Sequence, residues 1–123
     1  MPNPNGSHTE IKHKAPELTF IGVPHQPDFA TLYITMIPNK DKIVELKSLK
    51  LYLYHFRDKV VSYEHLINMI FNDLMSVYSP LRLLLVLETN PRGGISSRLR
   101  VDSDWRSRGG EEKFQNMKTE EVW

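Results

Sequence analysis

The strongest limit on the fold comes from a clean two-residue alternation between Phe29 and Ile37. Ala30, Leu32, Ile34 and Met36 point one way, and Phe29, Thr31, Tyr33, Thr35 and Ile37 the other. β-Branched and aromatic residues in such alternation describe a strand with two chemically different faces. Pro38 and Asn39 end it.

A shorter strand-like run from Glu17 to Val23 comes first, and Pro24 and Pro27 punctuate the turn between the two. The period then changes. Leu46, Leu49, Leu53 and Phe56 recur at helical spacing with lysines between them, which predicts a helix over 45–57. Ser62 has the chemistry of an N-cap, and Ile67, Ile70, Phe71, Leu74 and Val77 form one stripe of a second helix that stops before Pro80. Leu81 to Thr89 reads as a strand that is apolar on both faces at its centre. Asn90, Pro91, Arg92, Gly93 and Gly94 interrupt the chain. A last strand follows, with Ile95, Ser97, Leu99 and Val101 alternating against Ser96, Arg98, Arg100 and Asp102.

The order strand, strand, helix, helix, strand, strand predicts an α+β layer, an antiparallel sheet with both helices on one face. Leu84 and Val86 fall on the face opposite Leu83, Leu85 and Leu87. A two-layer monomer is expected to leave one of these sets exposed, which points to an oligomer. Residues 1–16 lack a periodic apolar face and read as a flexible arm, residues 17–104 as the folded domain, and residues 105–123 as a charged tail.

Composition narrows the chemistry. The 123 residues contain no cysteine, which excludes thiolate catalysis, disulfides and cysteine zinc sites. A net charge of +1 gives no electrostatic footprint for direct nucleic-acid binding. The longest apolar run, Leu83 to Leu87, is too short to span a bilayer, and the chain shows no secretory signal. A cytoplasmic protein without a membrane partner is the expectation. His8, His13, His25, His55 and His65 have no metal-ligand spacing, so no metal is expected.

Four places have residues able to do chemistry. Asp28, in the turn His25-Gln26-Pro27-Asp28-Phe29, is a candidate general acid or base, although aspartates more often cap such turns. Glu45-Leu46-Lys47-Ser48-Leu49-Lys50 has the alternating charge of an ordinary solvated helix start. Arg92 with Gly93 and Gly94 offers a phosphate grip beside a closely approachable backbone, or an ordinary turn. Glu64 near a helix start either favours the helix dipole or accepts two N–H donors from a guanine-like or pterin-like edge.

Taken in order, five segments resemble the NADPH-dependent 7-cyano-7-deazaguanine reductases, the nitrile reductases of queuosine biosynthesis, a pathway of tRNA modification. They are Gln26-Pro27-Asp28-Phe29-Ala30-Thr31, then Glu45-Leu46-Lys47-Ser48-Leu49-Lys50-Leu51-Tyr52, then Phe56-Arg57, then Asn72-Asp73-Leu74, then Pro91-Arg92-Gly93-Gly94-Ile95-Ser96. The resemblance spans roughly Glu17 to Ser97. It implies the tunnelling fold, with two helices between the second and third strands of a four-stranded antiparallel sheet. It also implies a homo-oligomeric barrel with sites between subunits. In the family a cysteine attacks the nitrile to form a thioimide, an aspartate supplies the proton, NADPH delivers two hydrides and a glutamate binds the base. By position Asp28 matches the aspartate and Glu64 the base-binding glutamate. Glu45 and Ser48 are implied at the wall of the substrate site. Lys47, Lys50, Arg92, Gly93 and Gly94 are implied on the NADPH side.

Two departures touch the chemistry. The stretch that carries the family's cysteine is here Phe20-Ile21-Gly22-Val23-Pro24-His25, without a thiol and one residue shorter. Tyr63 stands where the family has a histidine before the glutamate. A thioimide requires the thiolate, so nitrile reduction by that route is expected to be absent. Three functions remain open. The first is a metal-free reaction on a 7-deazaguanine, purine or pterin base, with Asp28, Lys47, His25 or Tyr63 moving protons. The second is a non-catalytic base-binding or partner subunit of a mixed barrel. The third is a reductase with another nucleophile such as His25.

Overall fold

The computed structural model describes residues 9–22, 26–39, 44–91 and 93–104. Strand β1 (Ile11–Gly22) and strand β2 (Gln26–Ile37) come first. Helix α1 (Leu46–Tyr54) follows and continues into a single 3₁₀ turn (His55–Asp58). Helix α2 (Tyr63–Tyr78), strand β3 (Arg82–Thr89) and strand β4 (Arg98–Asp102) complete the order. The four strands lie in sequence order in one sheet, each antiparallel to its neighbour.

The alternation in β2 does what a period of two requires. Ala30, Leu32, Ile34 and Met36 are buried, while Thr31, Tyr33, Thr35 and Ile37 are half-buried on the other face. Leu18 and Phe20 of β1 and Leu83, Leu85 and Leu87 of β3 share the inner face, and Leu49, Phe56, Leu66, Ile67, Ile70 and Leu74 pack onto it.

Several expectations need correction. Strand β1 begins at Ile11, inside the segment expected to be an arm. Ile11, His13 and Ala15 pair with Met36, Ile34 and Leu32, and a bulge between Ala15 and Leu18 then shifts the register. That extra residue breaks the period of two, and Pro16 falls on an edge strand at the bulge, where a proline is tolerated. The first helix ends at Tyr54, three residues before the expected end, and Leu46 is exposed. Val77 is likewise exposed and Leu66 takes its place in the core stripe of α2. The last strand starts at Arg98. Ile95 and Ser97 precede it, because the Ser97 N–H donates to Thr89 Oγ1 at 2.9 Å and its carbonyl accepts from Thr89 N–H at 2.9 Å, closing the turn.

Leu84 and Val86 are only 4% and 2% exposed. Their cross-strand neighbours are Thr35 and Asp102 for Leu84, and Tyr33 and Arg100 for Val86. Long side chains cover apolar surface with their stems. The bare apolar face that pointed to an oligomer is therefore not present on the single chain. The expected tail, residues 105–123, lies outside the described residues. Among the described residues no helix is long and apolar enough to cross a membrane.

The feature that builds the site is a short parallel bridge between Ile21 and Val60. Ile21 N–H donates to the Lys59 carbonyl at 3.0 Å, and Val61 N–H donates to the Ile21 carbonyl at 2.9 Å. This pins the chain before α2 along the end of β1. Ser62 then caps α2, its hydroxyl accepting from His65 N–H at 3.3 Å. The first turn of α2 is thereby held over the start of β2.

Candidate functional site

Asp28 lies on the inward face of β2, two residues before Ala30, and is 5% exposed. A polar side chain buried in a core needs hydrogen-bond partners. Oδ1 accepts the Phe29 N–H at 2.8 Å, and Oδ2 accepts the Tyr63 hydroxyl at 2.5 Å. Tyr63 opens α2, and its ring meets Phe20 edge-on at 5.6 Å. Asp28, Tyr63 and Glu64 line one cavity of about 100 Å³ with Phe20, Gly22, Val61 and Ser62. Glu64 is the acidic residue of the first turn of α2 and is exposed, where the helix dipole favours its charge. Three residues singled out from the sequence thus meet in space. Gly22, from the stretch where the family has its cysteine, lies on the same wall.

The signature on α1 is built differently. Glu45 is the N-cap: Oε1 accepts Lys47 N–H at 3.1 Å and Oε2 accepts the Ser48 hydroxyl at 2.6 Å. The Ser48 bond is the main reason its carboxyl is held below the usual range. Glu45 and Ser48 therefore form a capping unit, and neither lines the Asp28 cavity. Lys47 is exposed and borders neither that cavity nor the large groove. Lys50 borders the groove, a space of about 970 Å³ between β1 and α1.

That groove is the part of the surface that reading the sequence missed, because one of its walls, residues 12–16, belongs to the segment expected to be an arm. Lys12, Lys14, Lys50 and Arg57 border it, over apolar side chains such as Leu49 and Leu53. Arg57 lies over the Tyr54 ring, 4.6 Å from its centroid, and donates to its hydroxyl. His13 also lines the groove, its buried Nε2 has no hydrogen-bond partner among the described residues, and burial lowers its pKa. The alternation of Ile11, His13 and Ala15 was the available signal.

Gly93 and Gly94 have φ of 60° and 83°, and nothing lies within 4 Å of where a Cβ would stand at either. The left-handed backbone, rather than lack of space, is what requires glycine. Their loop leaves the end of β3, where Asn90 N–H reaches the Phe29 carbonyl at 3.5 Å, so it stands at the Asp28 end of the sheet. His25 and Arg92 lie outside the described residues. Among the described residues no group of three or more His, Cys, Asp or Glu side chains is placed to hold a metal ion.

Known proteins resemble this chain in sequence and in fold. The family model described as QueF-like protein matches residues 27–107. An NADPH-dependent 7-cyano-7-deazaguanine reductase of Gloeothece citriformis is 40% identical over 107 residues, covering 83% of this chain and 75% of the relative. The reductase of the same name from Wolinella succinogenes is 40% identical over 104 residues, covering 83% and 82%. The crystal structure of the archaeosine synthase QueF-Like in the apo form superposes with a TM-score of 0.67 at 11% identity, over 77% of this chain and 91% of that one. The fold is thus the tunnelling fold, four antiparallel strands with two helices between the second and third. By sequence and by architecture, the chain belongs to the QueF-like protein family.

Proposed function

We propose that this chain binds a 7-deazaguanine, purine or pterin base in a site completed by a second copy, and that it does not reduce a nitrile through a thioimide. The observation that carries this reading is the buried Asp28 carboxylate, bonded to Tyr63 in the same cavity as Glu64. Glu64 accepts two N–H donors of the base in a charge-assisted fork. Beside it the Tyr63 hydroxyl donates to Asp28, a hydrogen-bonded pair of the kind a metal-free acid–base step requires.

The cavity's size supports a shared site. About 100 Å³ is well below the roughly 300–1,000 Å³ of small-molecule sites. The single chain has the floor and one wall, and a neighbouring copy supplies the rest. Lys47 and Lys50 stand away from that floor on their own chain, as they would if they served the site of a neighbour.

NADPH fits the chain in one respect. Its phosphates need cations, and Lys12, Lys14, Lys50 and Arg57 border a groove of about 970 Å³. Of the residues that the resemblance assigns to the cofactor, Lys50 borders that groove and Lys47 does not; Lys47, Arg92, Gly93 and Gly94 would then serve the cofactor from a neighbouring copy, and bound NADPH would supply hydride. A nitrile carbon becomes reducible in this family once a thiolate has added to it, and none of the 123 residues is a cysteine.

A second reading, a non-catalytic subunit, is favoured by one detail. Both oxygens of Asp28 already accept hydrogen bonds within the fold. A carboxylate so held serves as a structural acceptor as well as it serves as a proton donor. The third reading, reduction with another nucleophile, rests on His25, and a selective loss of NADPH oxidation in His25→Ala would support it.

The test is a calorimetric titration of the assembled protein with 7-cyano-7-deazaguanine, guanine and neopterin in turn. Saturable binding of one of them, at one site per chain, is expected. A folded oligomer that binds none would overturn the reading, and co-purification with a cysteine-bearing relative would then favour the partner subunit.

A further inference from the structure

Helix α1 has nine residues and buries one of them, Leu49. A helix this short is not held by its own backbone bonds, so its orientation depends on what its side chains touch. Leu46, Leu51 and Tyr54 are exposed. Leu53 is half-buried against the core, and Tyr52 is the residue that reaches α2. It is half-buried, meets the Phe56 ring edge-on at 5.3 Å and donates a 2.5 Å hydrogen bond to Asp73 Oδ2 on α2. Burial first, and then the Asp73 carboxylate, push the phenol far above its usual pKa, so it stays a donor.

Among the described residues this is the side-chain hydrogen bond that joins α1 to α2. It links two elements with different tasks. At about 100° per residue, Lys50 and Lys47 lie about 160° and 140° around α1 from Tyr52. Tyr52 therefore faces α2 while the lysines face away. Any roll of α1 about its axis swings both lysines by the same angle. Asp73 belongs to the helix whose first turn presents Tyr63 and Glu64.

We propose that Tyr52 and Asp73 are a positioning pair, which sets the rotation of α1 and so the placement of Lys47 and Lys50 toward the site of the neighbouring copy that they serve. The pair touches neither base nor cofactor. This inference rests on the reading that Lys47 and Lys50 serve NADPH.

The test uses Tyr52→Phe, which keeps the ring, Asp73→Ala at an exposed position, and the double variant. Fluorescence titration with NADPH and calorimetry with 7-cyano-7-deazaguanine are run on each assembled protein. Each single variant is expected to weaken NADPH binding roughly tenfold, the loss of one hydrogen bond to a charged group. The double variant should be no weaker than the singles, and affinity for the base should change less than twofold. Equal losses for both ligands mean general loosening and overturn the proposal, as does unchanged NADPH affinity. If the wild type does not bind NADPH, the cofactor reading fails by itself. The pair is then read from hydrogen exchange: Tyr52→Phe should speed exchange of the α1 amides about tenfold and leave α2 protected. Unchanged α1 protection overturns the pair.

Discussion

The Tyr63 hydroxyl donates a 2.5 Å hydrogen bond to Oδ2 of Asp28, joining the first residue of α2 to the inward face of β2. The two residues are far apart in the chain and meet because the Ile21–Val60 bridge brings the start of α2 to the end of β1. Removing this donor from a carboxylate that is 5% exposed should cost about 1–2 kcal/mol. Urea denaturation of Tyr63→Phe checks this. A change below about 0.5 kcal/mol would mean that water replaces the phenol and that the dyad is not closed.

Asp102 should set an acid limit on stability. It is 2% exposed and pairs with Arg82 at 2.7 Å and Arg100 at 3.4 Å. Burial works against its ionisation, but Arg82, the Asp104 N–H and the charge of Arg100 outweigh it and hold the carboxyl below the usual aspartate value of 3.8. A depressed carboxyl contributes stability above its unfolded pKa and loses it as pH falls through the folded value. Stability should therefore decline below about pH 4. Asp102→Asn should cost about 2–3 kcal/mol at neutral pH, at or below the low end for breaking a buried pair because both arginines are partly solvated. It should also flatten the acid limb of a stability-versus-pH curve.

Gly94 has a φ of 83° with open space around it. Gly94→Ala should lose about 1–2 kcal/mol through backbone strain alone. Thermal melts of Gly94→Ala beside Ser96→Ala, at an exposed neighbouring position, separate strain from loss of the loop's surface. Equal melting temperatures would show that the loop relaxes to another conformation.

Mass spectrometry of the protein incubated with 7-cyano-7-deazaguanine should show no covalent adduct, with or without NADPH, since no thiol exists in the 123 residues to form one. A mass gain equal to the base would identify another nucleophile, and His25→Ala would then be the first variant to examine.

The sheet's inner face and α2 were legible because their periods are uninterrupted: Ala30, Leu32, Ile34 and Met36 at two, and Ile67, Ile70 and Leu74 at three and four. Strand β1 was half lost because the bulge after Ala15 breaks its period just where Pro16 suggests a loop. The burial of Leu84 and Val86 depends on which strands flank β3, which no local pattern encodes. At the candidate site, Asp28 and Glu64 were singled out through resemblance to a family, since by residue type alone each reads as an ordinary cap. The capping role of Glu45 and Ser48, and the pairing of Tyr52 with Asp73 across 21 residues, are geometric facts that appear only once α1 is placed.

In the proposed site Glu64 anchors a base beside Asp28 and Tyr63. A calorimetric titration of wild type and Glu64→Ala with 7-cyano-7-deazaguanine tests it most directly. Wild type should bind, and Glu64→Ala should bind at least about tenfold more weakly while remaining folded and assembled, because a charge-assisted hydrogen bond contributes about 1.5–3 kcal/mol. Equal affinities for the two proteins would mean that Glu64 does not hold the base.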